Sequence, residues 1–184
     1  MIASIEEIPT FISKGRVEVS AVVETPQGSR NKYKYKVKSG FFELGSVLPA
    51  GATFPFDFGF IPGTLGEDGD PLDVLLLMDA PTFPGCILAA RIVGVIEVKQ
   101  KGPREAPERN DRLIAVASES HRHRHVRKLS DLSSSLLDEI EHFFASYNEM
   151  KDTEFEVLAR RGRKTARRLV NEGIQLAQKK RASR

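Results

Sequence analysis

A chain of 184 residues, 40% hydrophobic and 29% charged, is long enough for a single domain with a full core and has an ordinary soluble, globular composition. No apolar run approaches the ~20 residues of a membrane helix, and one cysteine excludes a disulfide framework. The net charge of +3 hides an asymmetry: residues 158–184 carry +9, which leaves −6 on residues 1–157.

Taken in order, the first residues place acid at Glu6 and Glu7 where a signal peptide carries base, so a cytoplasmic protein is expected. Residues 4–13 admit only a short helical turn, because Pro9 interrupts them. Arg16–Glu24 alternates and then turns fully apolar, which predicts a strand. A turn-rich loop follows at 25–31. Lys32–Lys38 alternates again, with Tyr33, Tyr35 and Val37 on one face and four lysines on the other. Those lysines either protect an edge strand or line an anion site. Phe41–Leu44 is their hairpin partner, and Phe54–Gly63 reads as a bent, packed strand. Val74–Met78 and Ile87–Val98 are strands, the second with a bulge expected near Gly94, and Cys86 between them reads as core. Residues 99–111 read as a loop, and Asp111–Ala117 as the last strand. In His121-Arg122-His123-Arg124-His125 the interleaved arginines oppose cation binding, so a solvated or interface segment is expected. Ser133–Ser135 cap a helix, with Ser135 and Asp138 spaced as a capping box. Leu136, Leu137, Ile140, Phe143, Phe144 and Tyr147 form its apolar stripe, with His142 at the boundary. A second, basic helix spans 164–180. No aromatic residues interleave its cations, so a solvated face is expected rather than a nucleic-acid surface. Six or so strands followed by two helices, without βαβ alternation, predict a mainly β, α+β domain over 1–184: a small β-barrel with helices packed outside.

The most concentrated chemistry lies in Gly66-Glu67-Asp68-Gly69-Asp70-Pro71-Leu72-Asp73, with three aspartates in six residues. Two such carboxylates roughly 6 Å apart at an effective dielectric near 20 repel by about 3 kcal/mol. Such a cluster is either a solvated turn or a site for a hard divalent cation, and Mg²⁺ suits it because that ion keeps waters for a phosphate ligand. The spacing is not that of an EF-hand: Leu72 and Asp73 stand at the fifth and sixth positions from Asp68, and Asp79 at the twelfth.

With these elements placed, residues 16–150 resemble the soluble, Mg²⁺-dependent inorganic pyrophosphatases of the β-barrel type. Asp68-Gly69-Asp70-Pro71-Leu72-Asp73 fits that family's D-G-D-P-x-D motif at every fixed position. Glu24, Lys32-Tyr33, Phe54-Pro55, Phe58-Gly59-Phe60-Ile61, Gly94 and His142-Phe143-Phe144 with Tyr147 follow in the family's order. The resemblance implies a small closed, five-stranded, OB-like barrel with helices outside, assembled as a dimer or hexamer, and Mg²⁺-dependent hydrolysis of diphosphate to two phosphates. It implies Asp68, Asp70 and Asp73 around the metal, with Asp70 taking a proton from the attacking water. Lys32 and Tyr147 become phosphate contacts, while Glu24, Phe58 and Arg112 line the site.

The chain departs from the family at several of these positions. Lys34 replaces a glutamate, Ser46 an arginine, Phe54 and Phe58 tyrosines, Arg112 a lysine and Asn148 a lysine. Gln100 and Asn110 stand where two aspartates are expected, with Glu97, Glu105, Glu108 and Asp111 as nearby acids, and Lys34 and Arg30 as new cations. The expectation is a diphosphatase with a thinned site. The alternatives are a hydrolase of another phosphoanhydride, or a non-catalytic barrel that binds phosphate or RNA.

Overall fold

The computed structural model describes residues 5–12 and 18–183; the first two residues of the strand expected at Arg16–Glu24 lie outside them. Among the described residues, nine strands and two α-helices follow a 3-10 turn at Ile5–Glu7. The strands are β1 (Glu18–Thr25), β2 (Asn31–Lys36), β3 (Phe41–Val47), β4 (Asp57–Phe60), β5 (Asp73–Leu77), β6 (Ile87–Lys101), β7 (Glu108–Arg109), β8 (Arg112–Ala117) and β9 (Glu154–Gly162). Helix α1 is Ser134–Glu149 and α2 is Arg163–Ala182.

Five strands close on themselves in the order β1-β4-β5-β8-β6 and back to β1. All pairs in this ring are antiparallel except β5 with β8. Closure removes the free edges that an open sheet would present. Both faces of the ring are buried, and alternation sorts the side chains between two cores. Leu75, Leu77, Ile114 and Val116 join Leu137, Ile140, Phe144 and Tyr147 of α1. Val74, Leu76, Leu113 and Ala115 join Ala166 and Val170 of α2. The stripe expected on α1 therefore packs as drawn, each fully buried apolar side chain contributing about 1.5–3 kcal/mol over exposure.

Strand β6 is long because it pairs in turn with β1, β8 and β9. A register shift between Ile92 and Gly94 is the expected bulge. One extra residue there inverts the phase: Ala90 and Ile92 face the α2 core, Val93 the α1 core, and Val95 the α2 core again. Gly94 is required at the bend, since an added Cβ would meet the Arg161 carbonyl at 2.7 Å and the Leu129 Cβ at 2.8 Å.

Several expectations are corrected. Val37 lies outside β2 in an exposed turn, and the Phe-rich strand is confined to four residues at Asp57–Phe60. Within it, buried Asp57 is structural, accepting from Gln27 N at 2.7 Å and Thr82 Oγ1 at 2.6 Å. Part of 99–111 is strand rather than loop, because β6 continues to Lys101 and β7 pairs with it. The strand at 112–117 is not the last; β9 adds to the outer half of β6 between the two helices. Cys86 is half-buried against the α2 core. Helix α1 is capped by Ser133, whose hydroxyl accepts from Leu136 N at 3.2 Å, while Asp138 takes Arg160 of β9 instead of closing a box with Ser135. His142 is exposed. The His/Arg segment is a surface turn fastened by Asp79, which accepts from Ser120 Oγ and the amides of His121 and Arg122. Those bonds hold the Asp79 carboxyl down at about 2. Arg163, Lys164 and Arg168 of the basic helix are exposed, as a solvated face requires.

Candidate active site

The aspartate turn is built by its own backbone. Gly66 N donates to Asp70 O at 2.8 Å, and Asp70 N to Asp68 Oδ1 at 3.1 Å. Gly69 sits at φ +81°, a left-handed conformation that a side chain there would strain. Thr64 Oγ1 accepts from Leu72 N at 3.0 Å, and Leu65 N reaches Gly173 O of α2 at 3.0 Å, so the turn is held from both ends. Asp73 opens β5, which places its carboxylate at the mouth of the ring while Val74 goes inside.

Facing this turn, a cleft of about 720 Å³ is bounded by β2, β4, the turn and α1. Every residue expected in the site lines it: Glu24, Lys32, Phe58, Asp68, Asp70, Asp73, Arg112 and Tyr147. Lys32, Lys34 and Lys36 of β2 line the cleft too, as does Tyr35 between them. Lys32 is nearly buried, 3.5 Å from Glu24 Oε2, with its ammonium 3.9 Å from the centre of the Phe58 ring. Burial lowers its pKa, against the charges of Glu24 and Asp73. Glu24 is raised by burial, opposed by Lys32 and by the hydrogen bond from Tyr35 N at 2.7 Å. A phenylalanine at 58 therefore still serves the site, as a face for the lysine.

The carboxylates of the turn are not equivalent. Asp70 Oδ2 receives the Lys34 ammonium at 2.5 Å, and Asp73 Oδ2 receives Arg112 at 2.5 Å. Burial would lower the Lys34 pKa, but the hydrogen bond and charge of Asp70, with Glu24 and Asp73, raise it. Among the described residues no cation is paired with Asp68. Burial pushes its carboxyl up to about 6, with the charges of Asp73, Asp70 and Glu108 adding to the shift and the Asp70 amide opposing it. Arg112 also bonds Asn110 and lies over the Phe144 ring at 5.1 Å, and its buried Nε has no partner among the described residues.

The compensating residues sort unevenly. Glu105 and Glu108 line the cleft, with Gln100 donating to Glu108 at 3.2 Å. Glu97 and Asp111 do not: Arg109 takes them at 3.5 and 2.8 Å, beside a neighbouring groove of about 340 Å³ against α2. Arg30 donates to Leu48 O and supplies no charge to the cleft. Asn148 is buried and bonded to Phe144 O at 2.8 Å, so it restores no cation. The cation at this end is Lys151, which the sequence reading missed. Four residues beyond Tyr147, it donates to the phenol and lies 3.9 Å from the centre of the ring. Its i, i+4 spacing from Tyr147 was the available signal.

Comparison with known proteins gives one consistent answer. The family model described as inorganic pyrophosphatase matches residues 21–178. The inorganic pyrophosphatase of Halalkalibacterium halodurans is 40% identical over 84% of this chain and 91% of its own length. That of Synechocystis sp. is 38% identical over 84% of this chain and 87% of its own length. The crystal structure of the inorganic pyrophosphatase from Thermus thermophilus superposes with a TM-score of 0.85 at 34% identity, over 96% of this chain and 99% of that one.

Proposed function

The chain belongs to the inorganic pyrophosphatase family, and we propose from that membership that it hydrolyses diphosphate to two phosphates in the β2–turn–α1 cleft, with Mg²⁺ as its divalent cation. One observation carries the assignment to this chain's own residues. Asp68, Asp70 and Asp73 of the aspartate motif line one cleft with the cations Lys32 of β2, Arg112 of β8 and Lys151 just after α1.

The donor set fits a hard cation. Asp68, Asp70 and Asp73 offer carboxylate oxygens, the ligands that Mg²⁺ takes while keeping several waters. Burial raises the Asp68 carboxyl, and the neighbouring charges of Asp73, Asp70 and Glu108 add to the shift, charges that such an ion would offset. Among the described residues no three such donors already surround a single point, and Lys34 and Arg112 pair with two of the three carboxylates. A divalent cation bound there supplies acidified water and screens the phosphate oxygens.

The chain's residues do the rest. Asp70 accepts the proton of the attacking water as a new P–O bond forms. The bridging P–O bond breaks, and its electron pair leaves on the second phosphate. Lys32 and Arg112 flank the phosphates: Lys32 is fixed against two rings, and Arg112 is held by Asp73 at 2.5 Å. Tyr147, bonded to Lys151, closes the far end. Such transfer depends mainly on positioning and charge stabilisation, which this set provides without a covalent intermediate. Phosphate release from diphosphate under Mg²⁺ titration tests the proposal; no release at high enzyme and saturating Mg²⁺ overturns it.

The Asp68 carboxyl adds a pH prediction. A proton and the cation compete for it, so Mg²⁺ affinity by calorimetry is expected to be about tenfold weaker at pH 5 than at pH 7. The stability sign runs the same way. Its folded pKa of about 6 lies above the ordinary 3.8, so the metal-free fold binds an extra proton between those values. That contribution is present at low pH and is lost as pH rises through about 6, where Mg²⁺ restores it. Melts with and without Mg²⁺ at both pH values read both effects, and equal affinity at the two would remove Asp68 from the ligand set.

A further inference from the structure

We propose that Lys34 is a built-in cation that takes the place of one divalent ion at Asp70, so that this chain holds one metal ion fewer than its carboxylates would otherwise bind. The inference rests on the reading of the aspartate turn as a metal site. Its basis is the 2.5 Å contact between the Lys34 ammonium and Asp70 Oδ2. An ammonium donating to that oxygen and a divalent ion coordinated by it exclude each other, in space and in charge.

The backbone fixes the side chain's direction. Lys34 lies in mid-strand, in register with Glu43 of β3, and the next amide, Tyr35 N, is held by Glu24. Strand alternation then sends Lys32 and Lys34 into the cleft together, one to Glu24 and the other to Asp70.

The charge balance of the whole lining agrees. Its acids are Glu24, Asp68, Asp70, Asp73, Glu105 and Glu108. Lys32, Lys34, Lys36, Lys38, Arg112 and Lys151 oppose them, so the lining is formally neutral before any ion binds. Gln100 and Asn110, both neutral amides, complete this side of the cleft. A neutral lining attracts several divalent cations weakly, and the position of Lys34 identifies the one that is displaced. Lys34 and Asp70 are 41% and 50% exposed, so the pair lies at the cleft mouth, where a side chain can be exchanged without repacking the core.

The test counts bound Mn²⁺ per chain by electron paramagnetic resonance, without diphosphate, in the wild type and in Lys34→Met, Lys34→Glu and Lys34→Arg. Removing the charge alone, in Lys34→Met, is expected to add one ion per chain or to tighten the weakest ion at least tenfold. Lys34→Glu, which adds a ligand as well, should tighten it further, and Lys34→Arg should keep the wild-type count. Equal counts and affinities in the wild type and Lys34→Met overturn the inference, as does an added ion in Lys34→Arg. Hydrolysis is assayed separately on the wild type. Hydrolysis with equal counts sinks only the role of Lys34; a gained ion without hydrolysis sinks only the catalytic reading.

Discussion

Asp70→Asn is expected to leave the protein folded and to lower kcat for diphosphate by about 10³ or more. A positioned general base contributes about 10²–10⁴ in rate. Stability is expected to change little. Among the described residues the ion pair lost is Asp70 with Lys34, whose side chains are 50% and 41% exposed, and pairs of that kind contribute about 0–1 kcal/mol. The turn survives because Asp70 contributes its backbone to it, through Gly66 N and Asp68 Oδ1, and asparagine keeps both bonds. Kinetics and a thermal melt on the same sample separate the two effects. A variant that kept more than a tenth of wild-type kcat would show that another group takes the proton.

The largest effect on folding is expected at Gly59. In β4 it stands opposite Val23 of β1 and Val74 of β5, in the middle of the ring. A Cβ built there would run into the carbonyl oxygen of Val22 and stand 2.8 Å from its carbon. Those atoms are backbone and cannot rotate away. The strand cannot move either, since buried Phe58 and Phe60 flank the glycine and both neighbouring strands are hydrogen-bonded to it. Gly59→Ala must therefore open the β1–β4 seam. We expect a loss of about 4 kcal/mol or more, a large share of the 5–15 kcal/mol that holds a domain together. Gly162→Ala is the control: a Cβ there meets nothing within 4 Å, so a change under about 1 kcal/mol is expected. Urea unfolding measures both, and a Gly59→Ala midpoint close to wild type would contradict the packing described.

Much of this molecule is legible in one dimension, and the reason is period. Strands announce themselves by alternation, α1 by its 3.6-residue stripe, and the aspartate turn by fixed residue types at fixed spacing around Gly69 and Pro71. All eight residues expected in the site line one cleft: the turn motif fixes Asp68, Asp70 and Asp73, and Glu24, Lys32, Phe58, Arg112 and Tyr147 each sit on a different strand or helix. The bulge at Gly94 was readable for the same reason, as a break in a local pattern.

What the sequence left open is everything that depends on which distant residue stands opposite. Strand β9 was missed because it covers only the outer half of β6 and is half-exposed and charge-rich, so it shows no buried face. Alternation marks β1, β5, β6 and β8 as strands but cannot say that β5 and β8 run parallel or that β1 closes the ring on β6. The four candidate acids near residue 100 look alike in order, yet Arg109 removes Glu97 and Asp111 while Glu105 and Glu108 reach the cleft. Lys34 meets Asp70 thirty-six residues along the chain. The sequence alone determined the ring strands, both helices and the aspartate turn, because local sterics and hydrophobic period act within a few residues. The closure of the ring and the pairing of each charge were decided only by the tertiary structure. Coulomb energy and packing fall off with distance in space, and separation along the chain does not set that distance.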